Sequence, residues 1–286
     1  MLFETPDEFL ARPRRAVAVF GMSGVGKTRI ASMLRGAGWF HYSVDYRIGT
    51  RYMGEHIVDQ FKREAMRSPL LRELLMSDSI WIGSNITFAN LAPLSTYLGK
   101  PGDPAKGGIA FEEYLRRQRQ HREAEIAAMR DAAHFAERAG RVYGYRHFLC
   151  DTSGSLCEVV DADDRDDPVM RALAEVALVL YIREEPDHAE ELARRFDRDP
   201  KPMYYDEGFI AAKWSQYLSE QGVAEGAVDP DAFIRWAYRR LLSWRGPRYR
   251  AMAARWGYTA TMAEVAAVRN GADFLDLMDR VIARRQ

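Results

Sequence analysis

One run of eight residues constrains this chain more than any other: Gly21-Met22-Ser23-Gly24-Val25-Gly26-Lys27-Thr28. It meets the spacing Gly-x-x-x-x-Gly-Lys-Thr in full, a match that chance supplies in about one chain in a hundred of this length. Glycines let the backbone curl so that successive N–H groups point inward at an anion. A lysine then puts a compact charge on the outer phosphates, and the threonine hydroxyl is suited to Mg²⁺. The context fits too. Ala16-Val17-Ala18-Val19-Phe20 is continuously apolar, as suits a parallel strand buried on both faces. Thr28 to Arg35 reads as a helix with Ile30, Met33 and Leu34 on one side. Its first turn adds a partial positive charge to the same place. Gly21, Ser23, Gly24, Val25, Gly26, Lys27 and Thr28 are therefore expected to hold the phosphates of ATP, with Thr28 on Mg²⁺.

Further strands are predicted at Trp39–Val44, His147–Cys150 and Ala177–Ile182, alternating with helical segments. Such alternation means a parallel sheet with right-handed crossovers. Between the second and third strands, helical periodicity runs through Ile57, Phe61, Leu70, Leu71, Leu74 and Leu75. Gly99 to Gly108, rich in glycine and proline, reads as a loop. Phe111 to Ala139 reads as one charged helix stopped by Gly140, and its basic run Arg116 to Arg122 as a solvated face. Glu190 to Phe196 is predicted helical, and Asp197 to Tyr205, with two prolines, a loop. The rest is helical, with interruptions near Ala224–Asp229 and Gly246-Pro247 and a closing amphipathic helix at Asp273–Ala283. The expected fold is α/β, a P-loop NTPase three-layer parallel sheet flanked by helices. Its core would be 14–45 and 141–286, with a mainly helical insertion at 46–140.

In an open parallel sheet the ligand crevice borders the carboxyl ends of the strands. Asp151 follows the third strand, where a metal-orienting aspartate would sit beside Thr28. Asp45 ends the second strand and is expected to accept a proton from an attacking hydroxyl, or to hold metal. Forty-one basic residues balance forty-one acidic ones over 286 residues, so no general nucleic-acid or anionic-membrane surface is expected. Cys150 and Cys157 have no metal-site spacing and read as reduced thiols. The first fifteen residues carry Glu4, Asp7 and Glu8 and lack a secretory pattern, and no apolar stretch reaches membrane-helix length. A cytoplasmic location is expected.

The loop at Gly21, the strand end at Asp45 and the segment Arg245-Gly-Pro247-Arg-Tyr249-Arg-Ala-Met-Ala253 together resemble the shikimate kinase-like branch of P-loop kinases. That group often carries Arg-x-Pro-x-Tyr-x-x-x-Ala near its last strand, and Trp256–Thr261 with the closing helix is similar to its ending. The likeness covers about 14–58 and 148–282. The chain differs where that family pairs two aspartates after the second strand (here Asp45-Tyr46-Arg47) and sets a triple glycine after the third (here Asp151-Thr152-Ser153-Gly154). What the resemblance implies is thus kinase chemistry rather than shikimate as the acceptor. It also implies a lid after the fourth strand, where Arg194, Arg195 and Arg198 would meet charge on the transferred group. Arg47, Arg51, Arg245 and Tyr249 are candidate acceptor contacts.

A GTPase would need an Asn-Lys-x-Asp motif, and the chain has none. A motor or switch ATPase usually sets a glutamate beside the metal aspartate, whereas Thr152 follows Asp151. The expectation is a phosphotransferase using ATP and Mg²⁺ on a small-molecule acceptor, or on a macromolecular one. A nucleotide-dependent regulatory ATPase, its insertion docking a partner, is the alternative.

Overall fold

The computed structural model describes residues 1–285. In chain order the elements are α1 (Pro6–Leu10), β1 (Ala16–Phe20), α2 (Lys27–Arg35), β2 (Trp39–Ser43), α3 (Val44–Arg47) and a π-helical turn at Ile48–Tyr52. There follow α4 (Gly54–Ala65), α5 (Pro69–Met76), α6 (Ala92–Leu98), α7 (Phe111–Tyr143), β3 (His147–Asp151), α8 (Leu156–Val159), α9 (Pro168–Val176) and β4 (Leu178–Arg183). The chain ends with α10 (His188–Arg198), α11 (Glu207–Gln221), α12 (Pro230–Trp256), β5 (Gly257–Thr261), α13 (Met262–Ala267) and α14 (Gly271–Ala283).

All five strands run parallel, in the order β2-β3-β1-β4-β5. The fold is α/β, a parallel sheet flanked by helices. The central strands are shut off from water: Val17 to Phe20 and Leu178 to Ile182 are buried without exception, which is why they read as unbroken apolar runs. Helix α2 packs on β2 and β3, α9 on β4, and α13 and α14 on β5. Only β1 sends its connection toward the β2 edge, while β3 and β4 send theirs toward β5. The loops therefore part at the carboxyl end of β1, the position where open sheets receive ligands.

The chain forms two compact units. The first holds the sheet and comprises 1–44, 125–199 and 235–286; the second comprises 45–124 and 200–234. This division departs from the one expected at 46–140 in two places. Residues 200–234 belong with the second unit, and 125–140 with the first. The reason lies in packing: within the second unit Phe111 stacks on Trp214 at 4.6 Å, Trp214 meets Phe233 edge-on at 4.8 Å, and Asp103 N–H donates to the Val228 carbonyl at 2.8 Å.

Three expectations are corrected, two of them drawn from helix-breaking residues. Helix α7 does not stop at Gly140; it runs to Tyr143, and Gly144 at φ +72° ends it. Gly140 lies against the Arg14 guanidinium, where a Cβ would come within 3.1 Å of Nη1. Helix α12 passes unbroken through Gly246-Pro247, because tertiary bonds on both sides hold it. Arg245 pairs with Glu158, and Tyr249 OH donates to the Gly154 carbonyl at 2.5 Å. Finally, the basic run 116–122 is not wholly solvated. Arg117, Gln118 and His121 are buried, while Arg116 and Arg119 face outward onto Glu113 and Glu207. Among the described residues no helix is long and apolar enough to cross a membrane.

Candidate functional site

The turn after β1 takes a shape that glycine alone tolerates. Gly21, Gly24 and Gly26 have φ of +139°, +80° and +105°. A Cβ on Gly21 would stand 2.6 Å from the Ile182 carbonyl oxygen. Met22 and Val25 are buried and anchor the turn from beneath. Gly26 is the left-handed residue preceding α2, so Lys27 and Thr28 stand in the first turn of the helix. The Lys27 ammonium folds back over the turn and donates to the carbonyls of Gly21 (2.8 Å) and Met22 (3.0 Å).

Thr28 Oγ1 donates to Asp151 Oδ2 at 2.8 Å. Asp151 closes β3, paired in register with Val19 of β1, so the two groups arrive from opposite sides of one strand junction. His41 of β2 brings Nε2 to 3.5 Å from the same carboxylate oxygen. Asp151 is buried, between a hydroxyl and an imidazole. The segment after it is pinned: the Thr152 hydroxyl donates to the Val19 carbonyl at 3.0 Å. Ser153 and Ser155 donate to the two oxygens of Glu125, the latter at 2.7 Å. A Cβ on Gly154 would lie 3.6 Å from the Ser23 amide nitrogen, so this segment abuts the glycine turn.

Helix α10 approaches the turn from another direction. His188 Nε2 donates to the Ser23 carbonyl at 3.0 Å. Arg195 Nη2 is 3.6 Å from where a Gly24 Cβ would stand. Arg194 and Arg198 share with Glu191, Asp197 and Arg195 a shallow depression on that helix. On the α13 side, a Cβ on Gly26 would meet Val265 at 3.3 Å, and Arg29 donates to the Val265 carbonyl at 3.1 Å.

The other sequence-stressed residues lie elsewhere. Asp45 follows β2 in the first turn of α3 and, like Arg47 and Arg51, belongs to the second unit. Arg47 stacks over Tyr52, with 5.6 Å from guanidinium carbon to ring centre, and Arg51 is exposed in the π-helical turn. Arg245 and Tyr249, expected as acceptor contacts, are instead buried at 2% and 0% exposure. Arg245 bonds Glu158 through Nε at 2.8 Å and also through Nη2. Burial, the largest influence, opposes its charge, but attraction to Glu158, joined by Tyr249 and Cys157, holds the guanidinium above its ordinary range. In this arrangement the segment 245–249 buttresses the segment after β3 rather than facing a crevice.

Chemically, the turn is a concave, positively polarised surface suited to a polyanion. Thr28 and Asp151 add a hydroxyl and a carboxylate, hard oxygen donors that suit a small divalent cation sharing its other sites with an anion and water. Among the described residues no group of three or more His, Cys, Asp or Glu side chains forms a cage of its own. His41, Glu125 and His188 escaped the sequence reading. His188 and His41 stand in no motif, and Glu125 sits in a stretch whose high charge reads as solvent-facing. No protein-family model matches the chain, and no curated protein matches it either.

Proposed function

We propose that this chain is a P-loop phosphotransferase that moves the γ-phosphoryl group of Mg-ATP to an acceptor hydroxyl. The observation that carries the reading is the 2.8 Å bond from Thr28 to Asp151. It unites the end of the glycine turn with a strand-end carboxylate 123 residues away, the pair of oxygen donors that a nucleotide-bound magnesium requires.

Each residue then has a task. The backbone N–H groups from Ser23 to Thr28 cradle the phosphates, and Lys27 exchanges its two carbonyl partners for phosphate oxygens. Thr28 and Asp151 would hold magnesium, which would supply charge that neutralises the phosphates. Arg195, close to Gly24, meets charge on the transferring group, with Arg194 and Arg198 on the same helix. Helix α10, tied to Ser23 by His188, excludes water from the phosphates. Asp45 takes the acceptor's proton as its oxygen attacks. Thr152, in the place after Asp151, offers no carboxylate to orient a hydrolytic water, which favours transfer over hydrolysis.

A second reading, a nucleotide-dependent regulator, is favoured by one observation. Helix α5 buries none of its residues, leaving Leu70 and Met76 at 64% and 74% exposure, with Trp81 beyond it at 85%. The test has two arms. Mg-ATP should raise the melting temperature of the wild-type chain, since ligand at ~100 times Kd adds about 2.7 kcal/mol, and Lys27→Ala should abolish that rise. Equal stabilisation of the variant would overturn the nucleotide reading. Label from γ-³²P-ATP should then reach at least one member of a panel of sugars, nucleosides and amino alcohols. ATP binding without transfer to any acceptor favours the regulator.

A further inference from the structure

At the amino ends of β1 and β3 the first unit holds a cavity of about 160 Å³. Five-residue strands separate it from the glycine turn by about 16 Å along the sheet. Arg12, Arg14, Arg15 and Arg146 line it, and no carboxylate does among the described residues. Its floor is apolar, formed by Phe3, Phe9 and Phe148. Like charges gathered over apolar walls repel one another more than they would in open water, so the grouping lacks a counter-charge.

Two features tie these arginines to the cavity. Arg15 donates through Nη2 to the Leu10 carbonyl, yet its Nε is buried without a partner among the described residues. A buried N–H left unmatched is uncommon and points to a missing acceptor. Arg14 rests its guanidinium on Gly140, whose Cα lies where any side chain would crowd Nη1 at 3.1 Å. The glycine inside α7, unfavourable for a helix, thereby becomes a seat for the cation. His147 donates nothing through Nδ1, which accepts the Arg15 backbone N–H at 3.2 Å. Burial first, then Arg15 and Arg146, hold its pKa down to about 4, so it adds no charge at neutral pH.

We propose that this cavity binds a phosphate-type oxyanion, either inorganic phosphate or the phosphate of a small monoester. Guanidinium groups offer paired N–H donors that match such oxygens and make the stronger class of hydrogen bond. The site is independent of the Gly21–Thr28 turn and stands or falls separately from the phosphotransferase reading.

Titration calorimetry on the full chain carrying Lys27→Ala, at constant ionic strength, tests it with inorganic phosphate, glycerol 3-phosphate and acetate. One saturable phosphate site is expected. Adding Arg14→Ser and Arg146→Ser, both at exposed positions, should weaken it by about tenfold or more for each arginine. Arg14→Lys with Arg146→Lys should recover part of the affinity. Binding of glycerol 3-phosphate as tight as phosphate assigns a monoester, and its exclusion assigns free phosphate. Absence of saturable binding below ~10 mM phosphate, equal binding of acetate, or affinity unchanged by the serine variants would overturn the proposal.

Discussion

Replacing Arg245 by methionine separates two roles for the segment 245–249. The Arg245 side chain is 2% exposed and that of Glu158 is 0% exposed, and Nε lies 2.8 Å from Oε1. Methionine fills similar volume but leaves the Glu158 carboxylate buried without its cation. At an effective dielectric constant of 20, a pair about 4 Å apart attracts by about 4 kcal/mol. Breaking one member of such a pair costs about 3–5 kcal/mol, whereas replacing both with apolar groups is roughly neutral or stabilising. Arg245→Met should therefore lose about 3–5 kcal/mol, and adding Glu158→Leu should recover most of that loss. Urea unfolding followed by far-ultraviolet circular dichroism measures both, provided the slope with urea is unchanged between variants. If Arg245 instead served as an acceptor contact, Arg245→Met would fall within the ~0.5 kcal/mol typical of surface changes and lose activity alone. That outcome, or a double variant no more stable than the single one, would refute the buttress.

Three further outcomes are expected. Arg195→Ala should lower kcat by about 10³-fold, or about 4 kcal/mol, with much less change in ATP affinity; a loss confined to the KM for ATP would make Arg195 a ground-state binding group. Asp45→Asn should bind Mg-ATP nearly normally and lose acceptor phosphorylation, because asparagine retains capping ability without basicity; full activity would remove Asp45 from the chemistry. His121 is held by burial at a pKa of about 3, below its ordinary 6.5. The unfolded chain thus takes up a proton that the folded one refuses, and stability falls as pH drops below 6.5, by about 2 kcal/mol at pH 5. Thermal melts from pH 7 to 5 should show a shallower decline in His121→Gln, and parallel curves would exclude His121 as the source.

The central strands β1 and β4 were legible because burial on both faces leaves an unbroken apolar run, whereas β5, Gly-Tyr-Thr-Ala-Thr at 257–261, carries no such run and lies in a stretch expected to be helical. The second strand shows the limit: Val44 continues the pattern chemically, but the chain turns helical there and β2 ends at Ser43. The inward face of α7 was illegible for a different reason. Tyr114, Arg117, Gln118, His121 and Glu125 recur at helical spacing and are all buried, yet four of the five are polar, so hydrophobic periodicity cannot register them. Their burial depends on partners such as Tyr97, whose carbonyl takes Arg117 Nη1 at 2.5 Å. The segment 200–234 reads in sequence as a loop to Tyr205 and then as helix interrupted near Ala224–Asp229, but nothing in its pattern says that it packs with 45–124.

Conformational demands that act within a few residues were set by the sequence itself. A turn with φ of +139°, +80° and +105° at Gly21, Gly24 and Gly26 needs glycine at those places, so the spacing alone announced it. Asp151 was expected there from its place after the third strand, but the bonds that fix these groups, and the other groups that meet the turn, were decided only in three dimensions. Thr28 finds Asp151 across 123 residues, Ser23 finds His188 across 165, and Ser155 finds Glu125 across a crossover. Each such contact depends on strand order and register, which follow from how whole apolar faces pack. Side-chain identity shows what a residue can bond, and the packed sheet decides which partner comes within reach.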